Sequence, residues 1–290
     1  RGIVMKIDIN TKMITLLGKP LGQSFAARMQ NAGYEAAGLN MLYFYTEVDK
    51  DHLGDVVNGL RYMNFAGFAV TKPNKVRVLR YLDELDPLCK KMGASNTVVK
   101  TPEGKLIGYN TDGVGFYTSL VEEGKINVEE STFFCFGAGG AGRAMCSVLA
   151  YHGAKKIYIT DFYEPCAESL VMDINENFAP VAELVHHGDY AKIAECNVVM
   201  NASGIGMGST IGQTPMPVEH IQPGQFYFDA CYNPDKTQFL LNAEEKGCQV
   251  LNGLGMSLYQ GAAQIELWTG EKAPVEAMRK ELMDILAESK

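Results

Sequence analysis

The sequence predicts an α/β protein made of two α/β domains with largely parallel sheets, the second of them doubly wound. Short apolar runs of strand character alternate with stretches of helical spacing along almost the whole chain. Within that alternation, a strand at residues 132–136 passes through a glycine-rich turn into a helix and on to another strand at 156–160, which is a βαβ unit. The chain is also long enough, at 290 residues with 47% apolar content, to bury two cores.

The elements follow in order. Residues 13–17 form a strand ending at Gly18-Lys19-Pro20, and residues 42–48 a second. Residues 51–63 carry helical spacing through Leu53, Val56, Val57, Leu60 and Met63. Residues 66–70 make a third strand closing on Thr71, and Pro73 suits the first turn of a helix. Strands at 97–100 and 106–109 flank Pro102-Glu103-Gly104, a hairpin turn. A helix over residues 113–123 leads out of this first domain. Beyond it lie strands at 132–136, 156–160, 197–201, 226–229 and 249–251, a helix at 140–152, and one or two helices within 255–286.

Composition narrows the function classes. A formal charge of -8 and a pI near 5.2 argue against a nucleic-acid surface, which needs clustered Lys and Arg. Seven cysteines without a CxxC pair, most in apolar stretches, read as buried free thiols of a reducing compartment. Five histidines without HxxxH or HExxH spacing give no support for a metal site. No apolar run is long enough to span a bilayer. No basic-then-apolar leader pattern is visible, and the chain starts on Arg1, which fits a processed end. The expectation is a soluble cytoplasmic protein, monomer or homodimer, with no metal, nucleic acid or membrane partner.

The sharpest motif is Gly137-Ala138-Gly139-Gly140-Ala141-Gly142, a G-x-G-x-x-G match directly after an apolar strand and opening a helix. Gly137 permits the tight turn, Gly139 lets the backbone approach a pyrophosphate at the helix N-terminus, and Gly142 allows close helix–strand packing. The second domain is therefore expected to be a Rossmann-type dinucleotide-binding domain. Asp161 ends the next strand, nineteen residues past Gly142. A carboxylate there accepts hydrogen bonds from a ribose and repels the 2′-phosphate of NADP, and residues 160–170 hold no Arg or Lys. The expected cofactor is NAD, preferred over NADP. The competing reading of Asp161 is a helix-capping residue.

Polar residues collect at strand ends in the first half: Ser24, Thr71, Lys75, Asn96, Asn110 and Asp112. In a dehydrogenase, Lys75 and Asp112 suit an acid–base pair. On the residues alone, a surface lysine and a capping aspartate is the preferred reading.

The ordered segments resemble the shikimate dehydrogenase family, including its quinate/shikimate branch. They are Gly18 to Pro20, Val70 to Lys75, Gly93 to Thr97, Asn110 to Gly113, the glycine loop, Asn201 to Met207, Tyr232 to Pro234 and Gly253 to Ala262. The resemblance implies Lys75 and Asp112 as catalytic residues. It places Ser24, Thr71, Asn96, Tyr232 and Gln260 at the substrate, a cyclic hydroxy acid. It places Gly137, Gly139, Gly140, Ala141, Gly142, Asp161, Asn201, Ala202, Met207, Gly253 and Met256 along the cofactor. It also implies that the terminal helices join the first domain, so that residues 1–113 and 253–290 form the substrate domain and 114–252 the cofactor domain. The family's H-S-x-S-P entry reads Gln23-Ser24-Phe25-Ala26-Ala27 here, and its Asn before V-T is Ala69. Each loss of a hydrogen bond to a charged group is worth about 1.5–3 kcal/mol, enough to shift specificity. Arg28 offers a compensating charge. Alternatives are an enzyme of quinate, an aminated shikimate or another cyclitol acid, or a non-catalytic NAD-binding regulator.

Overall fold

The computed structural model describes residues 7–22 and 24–288, so Arg1 and Gln23 lie outside the described residues. The chain forms two compact units: one from the chain up to Thr111 together with Leu258 onward, the other from Asp112–Ser257.

In the first unit, β1 (Lys12–Gly18) is followed by α1 (Ala26–Ala36), β2 (Met41–Glu47), α2 (Leu53–Tyr62) and β3 (Phe65–Val70). Next come β4 (Glu84–Leu85), α3 (Pro87–Met92), β5 (Thr97–Lys100) and β6 (Leu106–Tyr109). Two helices here escape a reading based on apolar periodicity. The buried stripe of α1 is Met29, Gln30, Gly33 and Tyr34, half of it not apolar. The α3 helix spans only six residues, yet its ends are fully coded. Asp86 accepts the N–H groups of Leu88 and Cys89, Pro87 occupies the first turn, and Gly93 ends the helix at φ 64°. Pro73 does not begin a helix: it lies in the turn after β3, and the next helical segment is a 3-10 turn at Arg77–Tyr81.

The sheet runs β2-β1-β3-β5-β6-β4. The β1–β2 and β1–β3 pairs are parallel, whereas β3–β5 and β5–β6 are antiparallel, the last because a short hairpin joins only antiparallel strands. Register aligns Leu17 with Val70, Ala69 with Thr97, and Thr97 with Tyr109. The ends of β1, β3 and β6 and the start of β5 therefore share one edge of the sheet, and the polar residues flanking those strands converge there.

The second unit carries α4 (Thr111–Glu122, entering it at Asp112), β7 (Thr132–Phe136), α5 (Gly140–Tyr151), β8 (Lys156–Thr160), α6 (Glu164–Asn177) and β9 (Ala182–Leu184). It continues with β10 (Val198–Asn201), β11 (Phe226–Asp229), α7 (Gln238–Glu245) and β12 (Gln249–Asn252). All pairs in the order β12-β11-β10-β7-β8-β9 are parallel, a doubly wound sheet whose chain direction reverses between β7 and β10. Its strands are apolar on both faces, as sheets covered on both sides must be: Phe133, Phe134, Val198, Val199, Tyr227 and Phe228 are fully buried.

Helix α8 (Leu254–Thr269) returns the chain to the first unit at Leu258, and α9 (Val275–Glu288) packs on α1. Trp268 of α8 donates its indole N–H to the Val98 carbonyl at 3.0 Å. Gly67 makes the room, since a Cβ there would lie 2.6 Å from that indole nitrogen. All seven cysteines are free, six buried and Cys166 exposed. Among the described residues, no helix is long and apolar enough to cross a membrane, and no group of three or more His, Cys, Asp or Glu is placed to hold a metal.

Candidate functional site

The glycine loop of the second unit sits at the β7 end of the switch point, where open α/β sheets bind ligands. Gly137 adopts φ +100° and donates its N–H to the Thr160 carbonyl at 2.8 Å. A Cβ on Gly137 would lie 2.6 Å from the Ser203 nitrogen, and one on Gly142 only 1.9 Å from the Gly137 carbonyl oxygen. Gly139 is exposed, with nothing within 4 Å of a built Cβ. Gly140 and Ala141 open α5, which has no side-chain cap, so its first N–H groups point outward over an open backbone. These residues fit the pyrophosphate of a dinucleotide.

Asp161 is engaged on both oxygens. One accepts the Ala138 N–H at 2.7 Å and the other the Tyr163 N–H at 2.9 Å. The carboxylate thus braces the glycine loop and its own turn.

Across the switch point, Ala202 donates its N–H to the Phe136 carbonyl at 2.7 Å, tying the loop after β10 to β7. Asn201, at the end of β10, is fully buried and committed inward. Its Nδ2 donates to the Ile205 carbonyl and to both Asp229 oxygens, and its Oδ1 accepts from the Ser203 N–H and hydroxyl. Asp229, fully buried at the end of β11, also accepts from Thr237 Oγ1 at 2.6 Å and the Cys231 N–H at 2.9 Å. Burial pushes this carboxyl above its ordinary range, against the pull of those hydrogen bonds. Sequence reading missed Asp229, although it stands three residues before the Tyr232-Asn233-Pro234 motif.

Met207 is 48% exposed just beyond this loop. Gly253 donates to the Cys231 carbonyl at 3.1 Å, and a Cβ there would meet the Ala230 oxygen at 2.1 Å. Met256 is half-buried in the first turn of α8. Half-buried Tyr232 has its phenol raised by burial, against a hydrogen bond from Ser257.

In the first unit, the expected substrate residues gather at the shared sheet edge. Ser24 Oγ accepts the Ala26 N–H at 3.3 Å, and the Ser24 carbonyl accepts the Tyr45 hydroxyl at 2.5 Å. Thr71 follows β3, its N–H on the Leu17 carbonyl. Lys75 is half-buried, and its carbonyl accepts the Ser95 N–H at 2.9 Å. Asn110 donates to the Ala94 carbonyl. Asn96 is buried; its Oδ1 accepts the Thr111 N–H at 2.7 Å and the Thr97 hydroxyl at 2.9 Å, and its Nδ2 donates to Gln260 Oε1 at 3.4 Å. Asp112 follows Thr111 in the first turn of α4. Arg28 does not supply the compensating charge expected of it: its guanidinium is paired with Glu281 and Glu288 of α9. Tyr45 and Gln264, both bound into this edge, stand in no motif of the sequence, and Thr97 ends the Gly93 to Thr97 segment without a role of its own expected there.

Two family models match the chain: the shikimate dehydrogenase substrate binding domain over residues 16–98, and the shikimate 5'-dehydrogenase C-terminal domain over residues 253–283. The chain is 40% identical over 281 residues to a relative from Desulforamulus reducens named shikimate dehydrogenase (NADP(+)), covering 96% of each. It superposes with TM-score 0.92 and 37% identity on shikimate 5-dehydrogenase from Listeria monocytogenes in complex with shikimate and NAD, covering 97% of this chain and 100% of that one. With quinate dehydrogenase from Corynebacterium glutamicum in complex with NAD, the TM-score is 0.88 at 28% identity, covering 94% and 99%.

These relatives correct the expected preference for NAD over NADP, because the curated ones are named for NADP(+). The physical basis of that expectation also falls short. Each Asp161 oxygen accepts one backbone N–H, from Ala138 or Tyr163, and keeps a further lone pair, so its place at the strand end does not by itself report what a ribose carries.

Proposed function

Since this chain belongs to the shikimate dehydrogenase family and is an oxidoreductase, we propose that it interconverts a ring hydroxyl and a ketone on a shikimate- or quinate-like cyclic hydroxy acid. The observation that carries the reading is the convergence of Ser24, Thr71, Asn96 and Gln260 around one sheet edge, with Lys75 shortly after Thr71 in the chain and Asp112 directly after Thr111, whose N–H bonds Asn96. The second unit takes the dinucleotide at its glycine loop. A bound nicotinamide supplies the acceptor for a hydride.

The chain's own residues manage the alcohol and its proton. The C–H bond gives up its electron pair as hydride, the O–H proton passes to the Lys75 amine, and a C=O bond forms. Asp112 holds the resulting ammonium by charge and hydrogen bonding. Asn96 and Gln260 hold the ring hydroxyls, and Ser24 the carboxylate. Loss of a second serine at Ala26 and of an amide at Ala69 favours quinate as the second substrate to try.

One experiment tests the reading. Reduced cofactor formation is followed over a panel of cyclic hydroxy acids with NADP⁺, the cofactor in the relatives' names, and NAD⁺ in parallel. On the best substrate, Lys75→Met keeps much of the stem and removes the ammonium. Its kcat is expected to fall about 10²–10⁴-fold while cofactor binding stays near normal. Near-native kcat in this variant would assign the proton to another carrier.

A further inference from the structure

The geometry points to Thr97 and Gln264 as positioning residues that turn the Asn96 amide with its donor toward Gln260 and the ring, so that this position accepts a ring oxygen and refuses a ring ammonium. This rests on the reading above that these two amides face ring substituents.

A run of hydrogen bonds crosses the first unit from α1 to the sheet edge. Gln30 donates its Nε2 to the Gly261 carbonyl at 3.1 Å and to Gln264 Oε1 at 2.9 Å. A backbone carbonyl only accepts, so the Gln30 amide has one allowed orientation. Gln264 must then face Gln30 with its oxygen, and its Nε2 donates to Thr97 Oγ1 at 2.9 Å. The Thr97 hydroxyl, having accepted, gives its own proton to Asn96 Oδ1 at 2.9 Å. From the other end the Thr111 backbone N–H, which only donates, meets the same Oδ1 at 2.7 Å. Both ends of the run are thus anchored on backbone groups of fixed polarity. Gln30, Asn96, Thr97, Thr111 and Gln264 are each at most 3% exposed, so a flipped amide would bury like groups face to face.

The consequence reaches the substrate edge. With Oδ1 taken by protein donors, Asn96 directs one Nδ2 hydrogen to Thr111 Oγ1 at 3.0 Å and leaves the other toward Gln260 Oε1. The 3.4 Å separation is long for an amide pair, so this is the bond that a ligand oxygen would replace. Hydroxyl and carbonyl oxygens carry lone pairs for such donors, whereas an ammonium offers only N–H groups.

The test compares wild type, Thr97→Val and Thr97→Ser by steady-state kinetics on shikimate. An analogue bearing an amino group in place of a ring hydroxyl is run beside it. Cofactor affinity is read separately by fluorescence titration. Thr97→Val should raise the KM for shikimate about three- to tenfold at unchanged cofactor affinity, and Thr97→Ser, which keeps the hydroxyl, should stay near wild type. Equal KM values in the two variants, or cofactor affinity moving in step with KM, would overturn the proposal. Wild type provides a second measurement that does not depend on either variant folding: the amino analogue should bind at least about tenfold more weakly than shikimate. Equal affinities would sink the donor-outward orientation. Failure of wild type to bind any cyclic hydroxy acid would overturn the underlying functional reading, and this inference with it.

Discussion

At the scale of single residues, what matters is which partner each polar group has found. Asp229 shows this most clearly, because every group around its carboxylate is a donor: the Asn201 amide, the Thr237 hydroxyl and the Cys231 N–H. Asp229→Asn is almost isosteric, yet it sets an NH₂ against those donors. That NH₂ then faces the Thr237 hydroxyl and the Asn201 amide in place of an acceptor, loosening the ties that hold the loop closing on Gly137. The expected outcome is a stability loss of about 1–3 kcal/mol, the cost of burying a mismatched polar pair, together with weaker cofactor binding. Chemical denaturation and cofactor titration check it; native values for both would mean that the amide keeps its orientation without the carboxylate.

At the scale of elements, the strand–turn–helix of the second unit depends on one close approach. Helix α5 passes so near the glycine loop that the hypothetical Cβ at Gly142 overlaps the Gly137 carbonyl oxygen. Gly142→Ala must push the helix start away from the loop. Overpacking of this kind typically costs about 1–3 kcal/mol, and it also shifts the N–H groups offered to a pyrophosphate. The variant is expected to fold with a lowered Tm and to bind dinucleotide much more weakly. Calorimetric titration alongside thermal unfolding decides this, and unchanged affinity would remove the loop from the cofactor site.

At the scale of the whole molecule, the first unit is built from two distant stretches of chain. The α1 helix has no covalent neighbour among the terminal helices, but its Gly33 lies against Ile265 and Met278, and its Arg28 is clamped by α9. Met278 is completely buried in that contact, whereas Met283 of the same helix is 51% exposed. Met278→Ala should cost about 2–5 kcal/mol and Met283→Ala close to nothing, as read by denaturant midpoints. Similar effects from the two would show that α9 contributes helix but not packing.

The sequence by itself determined the alternation of strands and helices, the hairpin at Pro102-Glu103-Gly104 and the glycine loop, because strand and helix periods and turn chemistry act over a few residues. Helices α1, α3, α6 and α7 are not read from the sequence: α1 buries a stripe only half apolar, and α3, though capped, is too short to show a period. Only the tertiary structure decided the partners of charged and amide side chains. Asp161 reads from sequence as a ribose ligand, and only the fold shows that its carboxylate also braces an amide 23 residues back. Arg28 reads as a free charge, yet its partner stands 253 residues away. Thr97 and Gln264 are separated by 167 residues, and nothing in either neighbourhood announces that one will orient the other. A hydrogen bond is chosen by which buried groups the folded chain brings within about 3 Å, and its direction by the nearest backbone group of fixed polarity.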